Sequence, residues 1–129
     1  MKKVYTYGVF DLLHPGHLAL LEEAKSLGDC LIVGVLSDAA AESFKRRPIM
    51  DERERMRMVG ALKCVDKVVM QGEYKPGKNI ERYRPAILAK GPGAGWETKV
   101  PKFRKVQSVL LNYHEGVSTS QIIERCKTL

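Results

Sequence analysis

A chain of 129 residues, 44% hydrophobic and 29% charged, has apolar mass for one well-formed core and is too short for two. Its 22 basic against 15 acidic side chains, a formal +7 at pH 7, fit either a nucleic acid or a polyphosphate as partner, since both call for the same sign of charge. Cys30, Cys64 and Cys126 are odd in number, far apart and outside any C-x-x-C, which excludes a disulfide scaffold and fits reduced thiols. Met1 is followed by charge and a short strand, so the expectation is a cytoplasmic domain with no leader and no membrane span.

In chain order, residues 4–9 read as a strand. Pro15 suits a first helical position, and Leu18, Leu21, Ala24 and Leu27 recur at helical spacing until Gly28 supplies a stop. Residues 31–36 are a continuous apolar run, the mark of a strand covered on both faces. Ser37 and Asp38 close it, a helix is predicted over 39–44, and Lys45-Arg46-Arg47-Pro48 forms a basic turn. Asp51 with Glu54 has capping-box spacing ahead of a helix whose buried stripe would be Met56, Val59 and Leu62. A third strand is predicted over 65–70, a turn over 71–77, a short helix over 79–84 and a fourth strand over 86–90, ending in a glycine-rich loop at 91–95. Residues 99–107 are ambiguous, 109–112 read as a fifth strand and 118–127 as the closing helix. This alternation predicts a Rossmann-like three-layer α/β/α fold, with about five parallel strands doubly wound and helices on both faces. Ligands of such sheets sit beyond the carboxyl ends of the strands, where the winding reverses.

The first strand runs straight into His14-Pro15-Gly16-His17 at a helix start. Two imidazoles three residues apart stand there beside backbone N–H groups that lack intrahelical partners, so rings and amides can aim at one anion. Gly16 would let a phosphate approach the backbone, and Gly8 thins the strand end where a nucleotide would lie. Two histidines at this spacing could equally be metal ligands, and a single one is usually a solvated cap. The strand–loop–helix setting is what favours phosphate. At the other end of the chain Ser118, Thr119 and Ser120 open the last helix, with Ser118 and Gln121 at capping-box spacing. Alone that is only a cap; facing the histidines, its hydroxyls and free amides would hold β- and γ-phosphates. A dehydrogenase fingerprint is excluded, because no G-x-G-x-x-G follows the first strand and Trp96 stands where the later loop would need its third glycine. That loop also lacks the Lys and Ser/Thr of a P-loop, and reads as a mobile cover over the site.

Residues 6–17, Thr-Tyr-Gly-Val-Phe-Asp-Leu-Leu-His-Pro-Gly-His, and the later Glu115-Gly116-Val117-Ser118-Thr119-Ser120 resemble the two signatures of the H-x-G-H nucleotidyltransferases, in order and at the family's separation. Within that superfamily the chain most resembles the small cytidylyltransferases typified by glycerol-3-phosphate cytidylyltransferase. It is more loosely similar to ethanolamine-phosphate cytidylyltransferase and to the nucleotidyltransferase domain of heptose-phosphate enzymes. The resemblance covers nearly the whole chain and implies one nucleotidyltransferase domain over residues 1–129. It implies attack of a phosphomonoester, glycerol 3-phosphate or a similar polyol or alcohol phosphate, on the α-phosphate of CTP with release of pyrophosphate. Mg²⁺ would arrive with the triphosphate, with few protein ligands, and the relatives commonly form homodimers.

By the same resemblance His14 and His17 would contact the α-phosphate and the bridging oxygen. Lys45 matches the family's phosphate-binding lysine to about one position, with Arg46 or Arg47 able to substitute. Arg55 sits in the family's helix-arginine position and would reach the triphosphate or the acceptor phosphate, while Arg53 and Arg57 face solvent. Gly8, Val9, Phe10, Asp11, Gly16, Lys90, Gly91, Ser118, Thr119 and Ser120 would contact the nucleotide; Asp38, Arg47 and Tyr113 would contact substrate. Both reactants are anionic and the nucleophile is already deprotonated near neutral pH, so no general base is demanded.

Two positions depart from the glycerol-3-phosphate pattern. Where those enzymes carry an acidic residue after the glycine that follows strand four, and an arginine before the last motif, this chain reads Lys90-Gly91-Pro92-Gly93 and Tyr113-His114-Glu115-Gly116. Both fall where the family recognises its base, which makes ATP with another phosphorylated acceptor the alternative. Tyr113 could stack on a base or merely cover the sheet edge. A reading of another class is a catalytically silent basic domain that binds RNA or protein. Little aromatic interleaving and no RNA-binding signature argue against nucleic acid, and none is expected as a partner.

Overall fold

Five strands form one all-parallel sheet in the order β3-β2-β1-β4-β5. They are β1 (Lys3–Gly8), β2 (Cys30–Leu36), β3 (Lys67–Gln71), β4 (Ile87–Lys90) and β5 (Gln107–Leu110) of a computed structural model that describes residues 1–91, 106–112 and 118–129. The chain winds outward from β1 through β2 to β3, then returns to place β4 on the other side of β1. The reversal therefore falls between β1 and β4, where a doubly wound sheet puts its ligand crevice. The glycine-rich run beyond Gly91, the basic stretch through Lys105, and Tyr113 with residues 114–117 lie outside the described residues.

Strand alternation sorts the core into two layers. Val4, Leu31, Val33, Val35, Ile87 and Ala89 meet Leu21 and Ala24 of α1 (Pro15–Ser26) and Val59 of α3 (Glu52–Gly60). Tyr5, Tyr7, Ile32, Val69 and Leu88 face the opposite way, toward Ile80 of α4 (Gly77–Tyr83). Because both faces of β2 are covered, its sequence carries no polar alternation. The short α2 (Asp38–Glu42) is capped by Ser37, whose hydroxyl accepts from Ala40 N, and packs Ala40 and Ala41 on Leu36. Helix α5 (Thr119–Lys127) buries no side chain among the described residues. No described helix is long and apolar enough to cross a membrane.

The predicted elements are present, with shifted ends. β3 begins at Lys67, not at residue 65, because the Asp66 amide and carboxylate both bond to Leu31 of β2 and fix the entry to the strand. β5 begins two residues early, pairing Gln107 with Ile87, and as an exposed edge strand it needs no apolar residue there. In α3 the predicted stripe is only partly right: Val59 is fully buried and Met56 and Leu62 pack against the core, but the largest fully buried side chain is Arg55.

Candidate active site

The connection from β1 to α1 bends through two left-handed residues that are not glycine, Phe10 (φ 56°) and Leu12 (φ 51°). Each such residue costs on the order of 1–3 kcal/mol and persists only where its surroundings over-determine it. Phe10 is buried, and its ring occupies the space beside Gly8, where a Cβ would come within 3.2 Å of it. Gly8 thus makes room for Phe10. Asp11 is 3% exposed and its carboxylate accepts from the amides of Ile49 (2.8 Å) and Met50 (3.0 Å) and from Arg46 (2.9 Å). Burial alone would raise its pKa; the two amides and the Arg46 guanidinium outweigh that and hold it below the usual carboxylate range. In this way Asp11 ties the basic loop after α2 to the end of β1.

The helix start is capped by histidines instead of the usual hydroxyl and carboxyl pair. His14 Nδ1 accepts from Gly16 N (3.0 Å), and His17 Nδ1 accepts from His14 N (3.2 Å), which closes a reciprocal capping box. A neutral ring that accepts at Nδ1 carries its proton on Nε2, so each imidazole keeps one N–H to offer a ligand. The rings stack at 3.8 Å, and His17 lies edge-on to Phe10. Burial, followed by the neighbouring His14, pushes the His17 pKa down to about 4, and burial lowers that of His14. Both are therefore neutral donors at pH 7. Among the described residues no cluster of three His, Cys, Asp or Glu is placed to hold a metal.

The last helix arrives at the same place. Thr119 Oγ1 donates to the carbonyl of Asp11 at 3.0 Å, across 108 residues of sequence. Beyond the ends of β1 and β4 lies a cavity of ≈ 530 Å³. It is lined by Gly8, Val9, Phe10, Asp11, His17, Lys45, Lys90, Gly91 and Thr119 of the sequence-predicted set, and also by Arg46, Tyr7, Leu20, Leu36, Phe44 and Tyr74. Lys45 is exposed and has no carboxylate partner among the described residues, whereas Arg46 is engaged by Asp11. Lys90 is 5% exposed, its ammonium 3.8 Å above the Tyr7 ring and 5.7 Å from that of Tyr74.

Other predicted residues stand elsewhere. Gly16 gives its N–H to His14, whose ring stacks on His17 but is not itself among the cavity-lining residues. Ser118 is the N-cap of α5, bonded reciprocally with Gln121, and Ser120 is exposed, so Thr119 is the member of that trio that lines the cavity. Arg47 points to Glu42 at 3.8 Å, largely in solvent. Arg55 is not among the cavity-lining residues: its Nε donates to Met50 O (2.9 Å), one terminal nitrogen to Val9 O (2.7 Å) and the other to Asp38 (2.8 Å). It works from beneath, holding Val9, just past the end of β1, to the loop before α3, and Asp38 is its counter-ion. Sequence reasoning did not select Tyr7, Phe44 or Tyr74. Tyr7 lay within the first signature at a strand's end; the other two carried no local signal.

A family model described as cytidylyltransferase-like matches residues 5–125. The bifunctional protein HldE of Helicobacter pylori strain Shi470 is 45% identical over 98% of this chain, and that of Citrifermentans bemidjiense 42% identical over 96%. The chain spans only 28% and 27% of those relatives' lengths. The crystal structure of a lipopolysaccharide core biosynthesis protein from Thermoplasma volcanium superposes with a TM-score of 0.77 at 30% identity, over 89% of this chain and 99% of that one. A doubly wound sheet, histidines that cap its first helix and a last helix returning to the same cavity agree with these matches: the chain belongs to the cytidylyltransferase-like family of nucleotidyltransferases.

Proposed function

We propose that the cavity transfers a nucleotidyl group from a nucleoside triphosphate to a phosphorylated sugar or polyol. An oxygen of the acceptor's phosphate attacks the α-phosphorus, the α–β bridging P–O bond breaks and pyrophosphate leaves. The observation that carries this reading is the meeting of His17, Lys45 and Thr119, from three distant stretches of chain, around one hollow at the reversal of the sheet. Nothing there needs to remove a proton, because the acceptor phosphate is already anionic. What the reaction needs is donors fixed before charge develops. Capping bonds at Nδ1 fix both rings, so the Nε2–H of His17 on the cavity wall, and that of His14 stacked beside it, lend hydrogen bonds to the α-phosphate and the leaving oxygen without reorganising. Lys45 neutralises the triphosphate, and the start of α5 with Thr119 takes its outer phosphates.

Mg²⁺ fits this site as a companion of the triphosphate. Asp11 is the carboxylate on the wall and both its oxygens are already engaged, while a hydrated Mg²⁺ asks for few protein ligands. Arriving with the triphosphate, it would neutralise part of the phosphates' charge.

Two nucleoside triphosphates compete as the nucleotidyl donor. CTP is favoured by the family description; the departures from the cytidylyltransferase pattern at Lys90-Gly91-Pro92-Gly93 and Tyr113-His114-Glu115-Gly116 count against it and make ATP the alternative. For the acceptor, the saccharide context named for the Thermoplasma relative favours a sugar phosphate over glycerol 3-phosphate. Pyrophosphate release, measured for four nucleoside triphosphates against sugar, polyol and amino-alcohol phosphates, tests the whole reading. Turnover with one pair is the expected result. Background release with every pair, alongside salt-sensitive RNA binding, would favour the silent basic domain instead.

A further inference from the structure

Behind the cavity wall runs a buried polar chain that the transfer itself does not require. Gln71, the last residue of β3, is 2% exposed. Its Oε1 accepts from the Tyr5 hydroxyl (2.5 Å), and its Nε2 donates to the carbonyls of Glu73 (2.9 Å) and Tyr74 (3.1 Å). Tyr5 is fully buried and accepts in turn from Asn79 Nδ2 (3.0 Å), which also donates to Met70 O (2.9 Å). Since β2 lies between β1 and β3, the link from Tyr5 to Gln71 must pass over a β2 residue. That residue is Gly34, where a Cβ would fall 2.0 Å from the Tyr5 oxygen.

The same sheet face is otherwise packed with Ile32, Val69, Ile80 and Leu88, and an apolar filling would suit it without requiring that every donor and acceptor be matched. What only the polar version does is grip the main chain of the turn at residues 73–74. Tyr74, whose carbonyl is so held, puts its ring on the cavity wall, 4.3 Å from the ring of Phe44 and 5.7 Å from the Lys90 ammonium. Phe44 immediately precedes Lys45. The Tyr74 ring therefore lies between the Phe44 ring and the Lys90 ammonium.

We propose that Gln71 is a positioning residue for substrate binding. Anchored through Tyr5 and Asn79, it fixes the turn at 73–74 and with it the aromatic wall that sets where Lys45 and Lys90 present their charges to the phosphate-bearing substrates. This inference rests on the cavity being the substrate site.

The full chain serves for the test. Gln71→Met keeps the volume and removes both donors; it should raise KM for at least one substrate roughly tenfold while kcat moves less than about threefold. Tyr74→Ala should do the same, and the double variant should be no worse than Tyr74→Ala, because both act through one ring. Additive losses would overturn the proposal. A second readout needs no turnover: ¹⁵N order parameters of residues 73–75 should fall in Gln71→Met relative to those of β3. Unchanged order parameters overturn the inference even in an active enzyme. A wild type that releases no pyrophosphate with any pair sinks the proposed reaction and leaves the relaxation result to decide the relay. If Gln71→Met does not fold, Tyr5→Phe retains the ring, removes the far anchor and carries both readouts.

Discussion

Two hollows lie at opposite ends of the sheet. The larger, ≈ 1180 Å³, opens where β1 and β4 begin and is lined by Lys3, Lys78, Arg82 and Arg84 among others. The smaller, ≈ 530 Å³, opens where those strands end. Both are basic, and size alone would choose the larger. The difference is in what the backbone presents. Helix α4 finishes at the larger groove, with Arg84 as its left-handed C-cap (φ 47°) and Arg82 in its last turn, so carbonyls point that way and the cations complement them. At the smaller cavity α1 and α5 begin, and their amides and dipoles add to the lysines. Positive charge marks an anion site only where main chain and side chain agree in sign.

The sharpest way to break this comparison is beneath the smaller cavity. Arg55→Ala leaves Asp38 and the carbonyls of Val9 and Met50 without their donor, and should cost about 3–5 kcal/mol of stability by denaturant unfolding. Arg55→Lys cannot rescue it, because one ammonium does not reproduce three diverging bonds. Next, His17→Ala should lower kcat by ~10²–10³, with circular dichroism unchanged, since one preorganised donor is lost. Arg82→Ala in the larger groove should leave turnover where it was, and a comparable loss there would invalidate the contrast. Lys45→Ala should lower kcat/KM by roughly 10–100-fold, the range of a charge-assisted bond of about 1.5–3 kcal/mol, with no shift in melting temperature.

The smallest effect is on stability against pH. Folding lowers the His17 pKa from 6.5 to about 4, so between these values the unfolded chain binds a proton that the native state refuses. Stability should be complete above pH 6.5 and decline toward pH 4, by on the order of 2 kcal/mol, and His17→Gln should flatten that limb of the melting curve. Asp11 contributes in a separate window: its pKa lies below the usual 3.8, so its stabilisation is lost at still lower pH.

What the sequence reveals of all this follows the range of the interactions. The capping boxes of Asp51 with Glu54 and of Ser118 with Gln121 are legible because both partners lie three residues apart. The strands are legible because burial on both faces leaves unbroken apolar runs. Arg55 is singled out by the family resemblance, but for a phosphate contact; its buried role is not legible, since its partners Val9 and Asp38 are 46 and 17 residues away. The Tyr5–Gln71 bond spans 66 residues, and neither side chain announces it. Among the site residues, Thr119 and Ser118 look alike in sequence; only the approach of α5 to Asp11 separates the one that touches the cavity from the one that caps a helix.

The capping bonds leave each imidazole only its Nε2–H to offer a ligand. Under the proposed reaction a ring whose Nδ1 is occupied by the main chain donates a hydrogen bond without giving up its proton, so neither histidine would need resetting between turnovers. In the proposed transfer, as in any catalysed reaction, the equilibrium itself is untouched, so a build-up of pyrophosphate would drive resynthesis of the triphosphate. Net synthesis then depends on whatever hydrolyses pyrophosphate nearby.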